Sequence, residues 1–306
     1  MNTIIRGLAA TALALTALAI TPAAQAQDKL QPYVLAYEGA SDLATEVGKV
    51  KNRLTAAGFE VLGSYQPYAD AEVIGVTSAS LKQTAAAEKN GAFAAVVRVA
   101  VTVLGGKAQV SYQHPTYMAA AYRLDASLED VAATLKASLG AAKRYGTAEG
   151  RSVKDLKGYH YLVGMEYFDD FYELAKHRSY EDAVKTVEAN LAKKVGGAAQ
   201  VYKLEIPGKQ VTVFGVSRAA ATDKNANDKT IMADTVDKTF DIKTTAYLPY
   251  EIVVDGKEVR ALHMRFRMAV WHPDLTMVTF GKIVASPAAV EALLKDVAGG
   301  KKNSTF

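Results

Sequence analysis

The chain of 306 residues has no cysteine. That excludes a thiolate nucleophile, a disulfide framework, and zinc or iron–sulfur centres ligated by cysteine. Histidine is scarce, at five, and no H-x-H or H-x-x-x-H spacing occurs. No G-x-S-x-G elbow and no phosphate-binding glycine loop is present, so the usual marks of a serine hydrolase or a nucleotide enzyme are missing. Beyond the first 26 residues no run reaches the roughly 18 apolar residues needed to span a bilayer. Charge of one sign is not in large excess either, with 36 Lys and Arg against 32 Asp and Glu.

The first 26 residues read as a secretory signal. Asn2 to Arg6 carries one charge, residues 7–20 are almost all apolar, and Ala24-Gln25-Ala26 is a small-residue cleavage site. Cleavage is expected after Ala26, with export to a bacterial periplasm, where a cysteine-free chain offers nothing to oxidising machinery. Loss of Arg6 leaves 35 basic against 32 acidic residues, a net +3, too little to imply nucleic acid as a partner. No membrane span is expected after cleavage.

What is present is an internal repeat. The first unit, residues 27–140, opens with the strand PYVLAYEG. A helix follows, with Leu43, Val47, Val50 and Leu54 at helical spacing, Ser41 or Asp42 as cap and Gly58 as stop. FEVLGSY and AEVIGVT read as strands. FAAVVRVAVTVLGGKAQVSYQHP reads as a hairpin with Gly105-Gly106 at its tip. SLEDVAATLKASLG reads as a closing helix, with Ser127 as cap and Gly140 at its end.

The second unit, residues 158–306, follows the same order. GYHYLVGM is its first strand, and SYEDAVKTVEANLAKK its helix, capped by Ser179. AQVYKLEI and VTVFGVS are strands, residues 245–273 a long hairpin with Asp255-Gly256 at the tip, and SPAAVEALLKDVAGG the last helix. VIGV (73–76) answers VFGV (213–216), and His114-Pro115 answers His272-Pro273, with inserted residues between Ala219 and Lys243. Residues 141–157, rich in basic side chains, read as a surface linker. The expected architecture is α+β: two repeated β-α-β4-α units, each an antiparallel sheet with helices on one face, packed as a pseudo-dimer.

The run YQHPTYMAAAYRL (112–124) resembles the closing signature of the family called domain of unknown function 302. In that family a tyrosine, an Asn- or Asp-like pair and a proline end a strand before an aliphatic run. VTVLGGKAQVSY before it and the helix after it match the family's order, and the second unit resembles exported, duplicated members. The resemblance implies a TATA-box-binding-protein-like fold of helices over a sheet. It implies no established activity. This chain departs from the pattern at His114, where the family often has an acid or amide, and in the second unit, where Trp271 replaces the tyrosine.

Alternation puts Tyr112 and His114 on the apolar face of their strand, and Met264, Phe266, Met268, Val270 and His272 on the apolar face of theirs. The two histidines could pair as a ligand or proton-transfer site. Alternatively, each caps a strand end before a proline that enforces extended backbone. His263, Met264, Met268, His272 and Met277 offer copper(I)-type donors, yet the methionines sit where a core would. In DKNANDKTIMAD (223–234), Asp223, Asn225, Asn227 and Asp234 fall at calcium-loop positions, without the glycine or the closing glutamate. In FDDFYELAKH, Asp169, Asp170, Glu173 and His177 could do acid–base work if helical. Tyr159 and Tyr161, with Tyr33, Tyr37, Tyr65 and Tyr68, could line a cavity.

The expected function is therefore non-catalytic: an exported protein binding a small apolar or aromatic molecule, or a periplasmic protein. The candidate ligand-binding residues are Tyr112, His114, Tyr159, Tyr161, Trp271 and His272, with no cofactor and no metal. The alternative is a periplasmic enzyme or metal-handling protein using the His114/His272 pair or the 169–177 cluster.

Overall fold

The computed structural model describes residues 29–300. The expected signal segment, with its cleavage site after Ala26, lies outside the described residues. The chain is α+β, with two antiparallel sheets and flanking helices.

The first sheet is built by β1 (Tyr33–Ala40), β2 (Glu60–Tyr68), β3 (Ala71–Thr77), β4 (Val97–Leu104), β5 (Lys107–Gln113) and the short β6 (Lys143–Tyr145), in the order β2-β3-β4-β5-β1-β6. Between them run α1 (Leu43–Ala56), α2 (Ala79–Ala87), α3 (Pro115–Ala121), α4 (Glu129–Leu139) and α5 (Val153–Lys157). The second sheet is built by β7 (Phe171–Lys176), β8 (Ala199–Glu205), β9 (Val211–Ser217), β10 (Tyr250–Asp255) and β11 (Glu258–Leu262), in the order β7-β11-β10-β9-β8. Its helices are α6 (Tyr180–Ala192), α7 (Asp228–Ile231), α8 (Met264–Trp271), α9 (Met277–Gly281) and α10 (Ser286–Ala298).

Local sequence explains most of these elements. Asp42 caps α1 by accepting from the Thr45 amide, and Val47, Val50 and Leu54 are its buried stripe. Ser179 caps α6 in the same way, above Ala183, Val187 and Leu191. Gly105-Gly106 turns the β4–β5 hairpin with both residues at positive φ. The closing helix of the first unit departs from expectation: Leu128, not Ser127, holds the cap position, and its side chain makes no capping bond.

The two sheets meet through one row of residues. Across the first sheet Gly63 pairs with Gly75, and Gly75 with Arg98. Across the second, Tyr202 pairs with Gly215, and Gly215 with Glu251. The Tyr202 ring lies against both central glycines: a Cβ at Gly75 would stand 2.6 Å from it, and one at Gly215 2.5 Å. The space at Gly63 is taken by the Val201 carbonyl. At the end of the row Arg98 Nη1 donates to Glu251 Oε2 at 2.8 Å, and Tyr202 OH donates to Glu251 Oε1 at 2.7 Å. Both charged residues are buried.

Three expectations are corrected. Residues 158–165 form no strand; the first strand of the second sheet is β7, whose Tyr172 and Leu174 point inward in alternation. FDDFYELAKH is therefore largely strand, and Asp170, Glu173 and His177 share no helix face. Residues 264–271 are helix α8, not the second arm of a hairpin. Their alternation misleads because Arg267 is buried with the apolar residues. Finally, residues 141–157 are no free linker: β6 pairs with β1, Arg151 bridges to Leu30, and α5 follows.

Removing one member of the Arg98–Glu251 pair leaves a buried charge without its partner. Arg98→Met is expected to cost about 3–5 kcal/mol, and Arg98→Met with Glu251→Leu much less, measured by denaturant unfolding. If the double variant is as unstable as the sum of the singles, the ion pair is not the source of the loss.

Candidate functional site

The six candidate residues fall in three places. Tyr112 and His114 face a cavity of about 220 Å³ between β5, the start of α3, α4 and β6. Its walls are Val34, Tyr112, Pro115, Ala132 and Ala133, with Thr116, Glu129, Lys136 and Arg144 as polar members. Gln113 ends β5, and Pro115 fixes the backbone for the first turn of α3. His114 between them is the cap: its Nδ1 accepts from the Tyr117 amide at 3.4 Å, and its own amide donates to the Pro32 carbonyl at 2.9 Å. An Nδ1 used as acceptor puts the proton of the neutral ring on Nε2, which makes no hydrogen bond among the described residues. Burial, and secondarily the charge of Arg144, pushes the imidazole pKa down to about 4. His114 at neutral pH is therefore an uncharged donor. Tyr112 OH donates to the Gly140 carbonyl at 3.1 Å and locks that wall in place.

Tyr159 and Tyr161 border a separate, shallower recess of about 450 Å³ with Arg151, Lys154, His160 and Pro273. Tyr159 OH donates to the Ala269 carbonyl at 2.9 Å, and Tyr161 OH to Met277 Sδ at 3.1 Å.

Trp271 and His272 are inside the protein. Trp271 donates from Nε1 to Tyr122 OH at 2.9 Å and packs on Tyr33 and Tyr117. His272 is not at a strand end: it follows α8. The residue that follows β11 and caps α8 is His263, whose Nδ1 accepts from the Arg265 amide. His272 Nδ1 donates to the Met268 carbonyl at 3.2 Å, and Nε2 accepts from the Thr244 hydroxyl at 2.9 Å. Burial, more than offsetting the Met268 bond, lowers its pKa to about 3. Both nitrogens are used, so His272 and His114 form no common site.

His272 instead starts a polar chain through the interior. Thr244 Oγ1 lies 2.7 Å from Asp237 Oδ1, Tyr68 OH 3.3 Å from Asp237 Oδ2, and Tyr68 OH 2.9 Å from Thr245, which contacts Thr102 at 2.9 Å. Thr244 has one hydroxyl proton between two acceptors. Burial raises the Asp237 pKa, and a proton on Asp237 would complete the chain. Tyr68 and Thr102 belong to the first sheet, and Asp237 to Thr245 to the segment between β9 and β10. That segment straps the first sheet elsewhere too: Tyr65 OH donates to Asp228 at 3.0 Å and Tyr145 OH to the Lys243 carbonyl at 2.7 Å. Tyr65 and Tyr68 thus hold the strap, and Tyr37 OH donates to Glu46 at 2.6 Å.

Two more buried arginines complete the interior. Arg218 pairs with Asp228 at 2.7 Å. Arg267 Nη2 donates to the Tyr247 and Pro249 carbonyls, with its guanidinium 4.0 Å from the Tyr247 ring centroid and 4.5 Å from that of Tyr250. Of the three buried arginines only Arg98, a single charge inside the apolar run VVRVAV, carries a local signal of burial; Arg218 and Arg267 carry none.

The remaining candidates disperse. Asp169 pairs with Arg123, Asp170 accepts from the Tyr167 amide, and His177 donates from Nε2 to the Ala298 carbonyl. In the 223–234 loop Asp223 accepts from Asn225, Asn227 caps α7, and Asp234 pairs with Lys229. Met264 and Met268 are core residues of α8. Among the described residues no group of three or more His, Cys, Asp or Glu is placed to hold a metal ion, and no helix is long and apolar enough to cross a membrane. Comparison with family models, curated proteins and solved structures finds no match.

The lowered histidine pKa values set a pH dependence. The unfolded chain takes up these protons near pH 6.5, before the folded one, so stability present above that pH is lost as pH falls towards about 3 for His272 and about 4 for His114. Between pH 6.5 and 4.5 each should remove about 2 kcal/mol, with Asp237 acting in the opposite sense. Stability curves of the wild type and His272→Leu should converge by that amount over this window; parallel curves would contradict the assignment.

Proposed function

We propose that the protein is an exported, non-catalytic binding protein that holds a small molecule in the cavity behind β5, lined by Tyr112 and His114. The observation that carries this reading is the free Nε2–H of His114. Capping commits Nδ1, desolvation keeps the ring neutral, and the remaining donor has no partner beside a concave, largely apolar wall. At about 220 Å³ the cavity is smaller than the roughly 300 Å³ at which drug-sized sites begin. It suits a compact apolar or aromatic body bearing an acceptor for His114, with Lys136 and Arg144 favouring a negative one. The buried chain from His272 to Asp237 has no solvent-facing member that could meet a substrate, which favours binding over catalysis.

The fold belongs to the same proposal: two copies of one β-α-β4-α unit joined as a pseudo-dimer of the TATA-box-binding-protein-like kind, within the domain of unknown function 302 family. Three features support the duplication. The five strands β2-β3-β4-β5-β1 and β8-β9-β10-β11-β7 follow one order. The ladder of β1 with β5 slips between Leu35 and Tyr37, and that of β7 with β11 between Glu173 and Ala175, one extra residue in each first strand. A further slip follows Val61 in β2 and Gln200 in β8, each opposite the valine of the G-V pair. On this register Arg98 answers Glu251, since each pairs with the glycine of its VIGV or VFGV run. His114 answers His263, and Tyr122 answers Trp271. Equivalent positions then meet each other at the pseudo-two-fold, as Arg98 meets Glu251 and Tyr122 meets Trp271.

Protein isolated from its host without denaturant should carry a small molecule, seen by native mass spectrometry as an adduct absent from His114→Ala and from Ala132→Phe, which fills the cavity. Empty protein, unchanged in thermal midpoint by a panel of small aromatic acids, would remove the binding reading. Export has its own test: the N-terminus of the mature protein should be Gln27, and an intact leader in a cytoplasmic fraction would reject it.

A further inference from the structure

Large hydrophobic side chains left open to solvent are few here, and they are not scattered. Six of the seven most exposed lie in two short segments, 162–167 and 277–284. Val163 is 97% exposed, Val278 75%, Met277 57% and Leu162 52%. The first segment is the loop between α5 and β7, the second is α9 and the turn after it. They form one surface, because Tyr161 OH meets Met277 Sδ at 3.1 Å, and Pro273 lies in the same recess as Tyr159 and Tyr161. His160 fixes the base of the loop, donating from Nδ1 to the Leu162 carbonyl at 2.8 Å and packing on Tyr167 at 4.5 Å.

The recess beside this apolar tip is basic. Arg151, Lys154 and His160 line it with one acid, Asp155; Arg151 lies over the Tyr159 ring at 5.7 Å, and neither Arg151 nor Lys154 is in a salt bridge among the described residues. The nearby acids are engaged. Asp155 accepts from the Ser152 hydroxyl that caps α5, Glu166 is held by Arg265 and His263, and Asp169 by Arg123. An aliphatic tip thus adjoins two basic side chains, Arg151 and Lys154, that form no salt bridge among the described residues.

We propose that this face docks the protein on an anionic phospholipid surface: Leu162, Val163, Met277 and Val278 enter the acyl boundary while Arg151 and Lys154 meet headgroup phosphates. Scattered exposed hydrophobics need no explanation, but a contiguous rimmed patch marks an interaction site, and aliphatic tips with basic neighbours are what interfacial binding uses. The inserting side chains are four, two in one loop and two at the start of the short helix α9, a narrow tip beside the broad surface of roughly 800 Å² per partner that a stable protein complex buries. The inference does not depend on the cavity behind β5.

The test is co-sedimentation of the chain from Gln27 to Phe306, which contains every element named above, with vesicles of phosphatidylcholine alone or with phosphatidylglycerol added. Binding to the anionic vesicles is expected, weakening as salt rises. The triple variant Leu162→Ser/Val163→Ser/Met277→Ser should lose at least about tenfold in partitioning. Arg151→Ala/Lys154→Ala should lower binding to anionic vesicles and flatten its salt dependence, leaving binding to phosphatidylcholine as it was. All these side chains are exposed or half-exposed, and an unchanged thermal midpoint checks that the variants fold. Equal partitioning of wild type and triple variant, or no binding to either vesicle, overturns the proposal. So does concentration-dependent dimerisation that the triple variant abolishes without vesicles, which would assign the face to a second copy.

Discussion

The structure depends on the contact of Tyr202 with two glycines. Its ring occupies the space that side chains at Gly75 and Gly215 would need, one glycine from each sheet. This close approach brings Arg98 and Glu251 to 2.8 Å in the interior. Burying two charges is favourable only when geometry and further hydrogen bonds compensate for desolvation; Tyr202 OH supplies one such bond to Glu251. The apposition of the sheets, the ion pair and the tyrosine are thus one arrangement. A symmetric dimer would place like residues at such a row. A single chain can place glycine opposite tyrosine and arginine opposite glutamate, so each hole has its filler and each charge its counterpart.

The segment between β9 and β10 fixes what that contact leaves free. It carries Asp228, Asp237, Thr244 and Thr245 against Tyr65, Tyr68 and Thr102 of the first sheet. Its polar contacts are partly internal, as between Arg218 and Asp228, and partly to the first sheet, where Tyr65, Tyr68 and Tyr145 are engaged by it. The cavity beside Tyr112 and His114 lies apart from this segment, behind β5 and against α4. The exposed face at Val163 and Val278, on the loop before β7 and on the short helix α9, stands apart from both.

Much of the fold was legible in the residues. The caps at Asp42 and Ser179, the stripe Val47-Val50-Leu54 and the glycine hairpin at 105–106 all rest on local periodicity and backbone chemistry, which need no tertiary context. The misreadings have two causes. Alternation assigns charge to the surface, so Arg267 made helix α8 look like a strand and His272 look like a strand end. YHYLVGM is rich in strand-forming residues, yet it has no neighbouring strand to pair with, and strand propensity without a ladder gives a loop. The capping role of His114 was legible because a His-Pro after a strand marks a turn with an unsatisfied amide nearby. That Trp271 and His272 are core residues was not.

By itself the sequence determined the α+β class, the alternation of strands and helices, most helix ends, and the absence of any cysteine chemistry. These follow from interactions among residues a few positions apart. Only the tertiary structure decided which charges are buried, which histidine nitrogens are free, and which tyrosines face a cavity or a strap. Those outcomes depend on partners far along the chain, such as Arg98 with Glu251 and Tyr68 with Asp237, and desolvation gives each of these groups its character only once the partner is in place.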